Sequence, residues 1–349
     1  MQAGVSVSDT RRSGAGHSPL DQTWFPHILS RVVELAPLDA LLGLRSTCRR
    51  LRDSIDERLF EHVVLVTVAP RSAGAKTGVG FVPPHSPDRL LPCIPSARQL
   101  TRQIEGGRTQ SPTHVASNRR LMGHIRILDS ATANVYDLPS LSLPLVRRCN
   151  PSAAGLPAHI IVQTLSLSPT DDDDGVFRAW DRFRQLAVTV TGMTPIGAPG
   201  ARAAGGGGTF VAHLTYNGPP RRGIVFNIRS KLRELVVVLP SVPDDAEVGE
   251  VVEGMRVTLM MALPSVGGGT RITLVGVDRF GGRHFGFPDA EDELEAVRRA
   301  LLAHCRLEAD DERLVCLTYE EWASDVSPEI SARPPHIPNT VIGETESTA

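Results

Sequence analysis

Apolar positions along this chain fall into two regimes. Up to residue 60 they recur at helical spacing. Ile28, Leu29, Val32 and Leu35 stand at i, i+1, i+4 and i+7 and share one face. Pro26 suits a first-turn position, where a missing N–H costs nothing. Pro37 ends that helix and can start the next, whose apolar positions are Leu38, Leu41, Leu42 and Leu44, with Asp39 near the positive N-terminal end. Cys48, Leu51, Ile55 and Leu59 form the stripe of a third helix, with arginines on its other side. From residue 63 the pattern turns strand-like. Short aliphatic runs occupy 63–68, 125–128, 160–167, 186–190, 210–214, 224–228, 235–239, 257–263, 272–277 and 314–317. Several are continuous rather than alternating, as in strands covered on both faces.

The spaces between these runs set the domain organisation. Residues 1–22 are rich in Ser, Gly and Arg and read as a disordered lead, and 23–60 form the helical block. Residues 61–330 form an α/β domain, interrupted at about 71–118 by a Pro-, Gly-, Arg- and Ser-dense stretch expected to be a mobile insertion. The acidic run 171–174 and the glycine run 205–208 read as solvated loops. Near the end, Pro288 and Asp289 open a helix with the stripe Leu294, Val297, Leu301 and Cys305, which predicts a strand–helix–strand unit with the runs on either side. Residues 331–349, Pro-rich and then acidic, are expected to be a disordered tail.

Composition narrows the function classes. At 349 residues the chain is long enough for a sizeable core, and 41% hydrophobic with 22% charged residues is ordinary for a folded protein. A formal net charge of -2 gives no field that would gather nucleic acid or an anionic membrane. No run reaches the ~20 apolar residues of a membrane helix. The five cysteines are dispersed with no C-x-x-C pair, so reduced thiols in the cytoplasm or nucleus are expected, with no metal site. Gly74-Ala75-Lys76-Thr77 follows a strand, but Ala75 stands where a phosphate loop needs Gly, and 78–84 cannot open a helix. No nucleophile elbow or zinc helix is present. The chain is therefore expected not to be an enzyme and to use no cofactor.

The helical block carries the specific signal. Phe25-Pro26, Pro37 with Asp39, Leu41-Leu42 with Leu44-Arg45, Cys48-Arg49-Arg50 with Arg52-Asp53, and Leu59-Phe60 stand in the order and spacing of an F-box, which this segment resembles. Phe25, His27 and Leu51 replace the usual Leu, Glu and Trp. The resemblance covers little more than a tenth of the chain. It implies docking to the Skp adaptor of a Skp–cullin–F-box ubiquitin ligase, through Phe25, Pro26, Ile28, Leu29, Val32, Leu38, Leu41 and Leu42, while the remainder selects an unknown substrate protein. Downstream, apolar-x-x-apolar-x-apolar occurs at Phe60-Val63-Leu65, Met122-Ile125-Ile127, Val162-Leu165-Leu167, Phe183-Leu186-Val188 and Leu232-Leu235-Val237, similar to the strand core of leucine-rich repeats, though at uneven intervals. The fold class expected is α/β: an N-terminal three-helix F-box followed by an irregular strand-rich α/β domain, either a degenerate leucine-rich-repeat array or a non-repetitive one. The whole has a general likeness to fungal-type F-box proteins. The alternative is a structural or interaction protein whose F-box-like helices only cap the α/β domain.

Overall fold

The computed structural model describes residues 26–68, 78–91, 120–131, 143–149, 158–166, 185–190, 207–216, 223–228, 232–243, 270–280, 282–285, 293–305, 308, 311–335 and 337. They divide into two compact units, Met1–Arg58 and Leu59–Ala349.

The first unit holds α1 (Pro26–Leu35), α2 (Leu38–Leu44) and most of α3 (Arg49–Glu61). Pro26 opens α1, and Pro37 stands in extended conformation (φ -65°, ψ 159°) as the N-cap of α2, so both prolines act as helix punctuation. The end of α2 is closed by the hydroxyls of Ser46 and Thr47, which donate to the carbonyls of Gly43 and Leu44 at 2.7 Å each. Arg45, just past α2, forms an ion pair with Asp56 of α3, whose side chain is fully buried. The buried apolar residues are Val33, Leu41 and Ile55. Two expectations change. Cys48 is exposed and precedes α3 rather than joining its buried stripe. In α1 the inward residue is Val33, while the stripe of Ile28, Val32 and Leu35 stands open.

The second unit is mixed α/β. Its strands are β1 (His62–Val68), β2 (Gly78–Val82), β3 (Ile127–Ser130), β4 (Leu143–Arg148), β5 (Ala158–Ser166), β6 (Gln185–Val190), β7 (Gly208–Thr215), β8 (Gly223–Ile228), β9 (Leu232–Val238), β10 (Arg271–Val275) and β11 (Leu314–Leu317). Nine form one sheet in the order β11-β10-β9-β7-β5-β4-β3-β1-β2, parallel throughout except for β1 with β2. Each parallel strand thus lies beside its predecessor in that sheet. The two strands left out, β6 and β8, sit in successive crossovers and pair in parallel with each other. The helix α5 (Glu293–Cys305), with Val297 buried, lies between β10 and β11, so the expected strand–helix–strand unit is present. Preceding it, α4 (Val277–Phe280) follows β10 through Gly276 at φ 81°, a left-handed turn that glycine adopts without a Cβ penalty.

Cross-strand register explains the core. Val63, Leu128, Val146, Ile161, Phe210, Leu235, Ile272 and Leu314 align in one row, each 0–1% exposed. Burial of each such side chain contributes ~1.5–3 kcal/mol before the entropy of ordering is counted. Three residues before five of these stand further buried residues: Phe60, Ile125, Leu143, Ala158 and Leu232. The recurring unit is therefore in register at Phe60-Val63-Leu65 and Leu232-Leu235-Val237. The matches at Met122-Ile125-Ile127 and Val162-Leu165-Leu167 are out of register, and Leu186 and Val188 belong to β6, outside the large sheet.

The opposite face of the sheet is covered by the chain's own C-terminal segment. Thr318 caps α6 (Tyr319–Asp325) with a reciprocal Thr318–Glu321 capping box. Trp322, buried, joins an apolar cluster with Val162, Val211, Val236 and Val238, against which Val326 and Ile330 also pack. A further turn, α7 (Pro328–Ser331), leads on to Ile337, which packs on Val64, Val66, Val82 and Ala131. The segment thus reaches from β11 to β1 and β2. This departs from the expectation of a disordered tail from residue 331, since 331–335 and 337 are in place. Within the expected mobile insertion, residues 78–82 are strand β2, followed by ordered turns to Leu91. The expected strand at 257–263 and the Gly74–Thr77 loop lie outside the described residues.

Candidate functional site

Helix α1 presents the largest departure from ordinary burial. Among the described residues the large hydrophobic side chains left exposed are Ile28 at 45%, Val32 at 42% and Leu35 at 65%. All three lie on one face of the same helix, and they line an open groove of ≈ 510 Å³ together with His27, Arg31 and Ala36. The face is apolar along its centre, with an Arg31–Glu34 ion pair beside it at 2.6 Å whose partners are both well exposed. An exposed pair of that kind contributes little to folding.

The residues expected at a contact are divided by the structure. Ile28 and Val32 lie on the open face, and Pro26 at the start of α1 is exposed. Leu29, Leu38 and Leu42 are half-buried. Leu41 is only 3% exposed and serves the interior. Phe25 lies outside the described residues. Leu35, 65% exposed and not among the residues expected at the contact, belongs to the same face by its spacing from Ile28 and Val32.

A second cluster, with no sequence signal, lies in the α/β unit. Asp129 on β3 is aligned with Arg147 on β4, and His62 begins β1. Arg147 donates from Nε to Asp129 Oδ1 and from Nη2 to Oδ2, both at 2.6 Å, and His62 Nε2 is 3.0 Å from Oδ2. Burial alone would push the Asp129 carboxyl up, but the hydrogen bonds from His62 and Arg147 and the guanidinium charge hold it below the usual carboxylate range. Nearby Cys149 is buried, and that burial pushes its thiol up to about 12. The cluster is a buried ion pair with a histidine at its edge. Next to it, Arg148 points to the other face, is 4% exposed and donates to Gln163 at 3.1 Å; burial lowers it to about 10.

Among the described residues no group of His, Cys, Asp and Glu could hold a metal ion, and no helix is long and apolar enough to cross a membrane. Comparison of the chain with family models, with curated proteins and with solved structures found no match.

Proposed function

We propose that this chain is a substrate-recruiting adaptor subunit of a Skp–cullin–F-box type ubiquitin ligase, acting in the cytoplasm or nucleus. The observation that carries the reading is the open apolar face of α1, Ile28, Val32 and Leu35, on a block of three short helices whose sequence resembles an F-box. Burying the remaining exposed part of three aliphatic side chains contributes roughly 2–4 kcal/mol, enough to anchor an adaptor when polar rim contacts are added. In the second unit, successive parallel strands lie side by side in chain order, with β6 and β8 paired in a second, two-stranded sheet. Coils stacked one on the next have this order, which supports a degenerate leucine-rich-repeat-like array as the substrate-presenting domain.

The test is co-elution. The full chain, mixed with a purified Skp adaptor and its cullin, is expected to enter one complex on size-exclusion chromatography. A folded chain that elutes alone contradicts the reading. It would then favour the alternative of a structural or interaction protein with no ligase role. That alternative has one observation behind it: α3 passes into β1 with no connecting residue between Glu61 and His62.

A further inference from the structure

On the face of the sheet that carries Leu128, Val146, Ile161 and Phe210, the next row toward the strands' carboxyl ends runs Leu65, Ser130, Arg148, Gln163, Ala212 and Val237. It is apolar at both ends and polar in the middle, where Ser130, Arg148 and Gln163 are 0%, 4% and 2% exposed. Arg148 donates from Nη1 to Gln163 Oε1 at 3.1 Å, and its Cζ lies 5.9 Å from the centroid of the Phe210 ring. Its Nε and Nη2, both buried, meet no acceptor among the described residues. Those two nitrogens form the side-on fork of a guanidinium. One residue earlier, Arg147 shows what such a fork takes in this fold: a carboxylate, held at 2.6 Å by each of the same two atoms. Burial lowers Arg148 only to about 10, so the group stays a cation at neutral pH. A buried cation without a counter-charge is strongly unfavourable, and no carboxylate of the described residues pairs with this one.

We infer that Arg148 and Gln163 anchor a binding site for a small monocarboxylic acid, whose carboxylate is taken side-on by Arg148 Nε and Nη2. One guanidinium balances one negative charge, whereas a phosphate dianion would leave a charge over. Gln163, whose Oε1 is engaged by Arg148, offers its NH2 group as a second donor. Beyond this pair the surroundings are apolar. Val146 and Phe210 stand two residues earlier on their strands and Leu165 two residues later, all 0–1% exposed. The body of the acid is therefore an aliphatic or aromatic group, placed against Ala212, the smallest apolar side chain of the row. An acid held there is enclosed by the α/β unit, and its binding adds to the stability of that unit. The site depends neither on α1 nor on the ligase role.

The test is a calorimetric titration of the full chain with benzoate and with hexanoate at constant ionic strength, beside urea unfolding in the same solutions. At least one acid is expected to bind saturably and to raise the urea midpoint. Benzamide and hexanol, which match the shapes without the charge, should do neither. Arg148→Met removes a buried unpaired charge at similar volume, so the variant should fold at least as stably as wild type and lose the binding. Arg148→Lys keeps a charge without the fork and is expected to bind on the order of tenfold more weakly. Should Arg148→Met fail to fold, the comparison of acid with amide on wild type and the lysine variant still decide the matter. Absence of saturable binding by both acids would overturn the inference. So would binding that Arg148→Met retains, benzamide binding as tightly as benzoate, or inorganic phosphate binding as tightly as either acid. No adaptor is present in these measurements, so a failure of adaptor binding alone sinks the ligase role and leaves the acid site standing.

Discussion

His213 offers a magnitude that can be worked from the structure. It lies on β7 under the C-terminal segment, 4% exposed, with the edge of Trp322 6.0 Å away between ring centroids, the Ile330 carbonyl 3.1 Å from Nε2, and Arg333 as the nearby charge. Burial pushes the imidazole down from 6.5 to about 4; the Ile330 hydrogen bond opposes this and the Arg333 charge adds to it. A histidine with a lowered native pKa binds fewer protons in the folded chain than in the unfolded one. Its neutral form therefore costs nothing above about pH 6.5, and stability falls as pH drops from there toward 4. A tenfold difference in proton affinity between the folded and unfolded chain is equivalent to about 1.4 kcal/mol, so the linkage predicts a loss of ~2 kcal/mol between pH 7.5 and 5 and ~3 kcal/mol by pH 4. Replacement by a side chain that still donates but does not titrate, His213→Gln, should remove that pH-dependent part. Urea unfolding of both chains at pH 7.5, 6 and 5 measures it, and other histidines cancel in the difference. Equal pH dependence in wild type and variant would refute the reasoning.

Two further predictions concern the second unit. Asp129→Asn leaves the Arg147 guanidinium buried without its counter-charge and is expected to lower stability by ~3–5 kcal/mol in urea unfolding, whereas Asp129→Leu with Arg147→Met should recover most of that loss. Gly276→Ala is expected to cost ~1–2 kcal/mol, because a Cβ at φ 81° is strained even though its nearest neighbour, the Leu239 carbonyl, is at an ordinary 3.5 Å.

How much of this was legible depended on whether the information was local. The continuous aliphatic run 235–239 announced β9, because a strand buried on both faces favours apolar side chains at successive positions. By contrast β4, Leu-Pro-Leu-Val-Arg-Arg, went unread: its two arginines find partners, Asp129 and Gln163, that only the sheet brings near. β2 was hidden by its glycines, one of which, Gly80, has no room for a Cβ against Leu90 and Val68. The register of the repeating unit was obscured for a similar reason, since Ser130, Arg148 and Gln163 stand where an apolar residue would have completed the pattern. On α1 the apolar stripe was plain from its spacing, but not which side faced outward. Val33, one residue from Val32, takes the interior position, and that choice is made by packing rather than by periodicity.

The most direct test of the central claim is a calorimetric titration of the full chain with a Skp adaptor, comparing wild type with the Ile28→Asp, Val32→Asp double variant. Leu41→Asp is unsuitable for this purpose, because a carboxylate at a position 3% exposed is expected to cost ~3 kcal/mol or more and unfold the block. The two α1 positions are nearly half exposed, so the double variant should keep its helical circular dichroism and its urea midpoint. Wild type is expected to bind, and the variant to bind about 100-fold more weakly or not at all. A folded wild type that does not bind, or a variant that binds as tightly as wild type, would contradict the assignment of α1 as the adaptor-docking face.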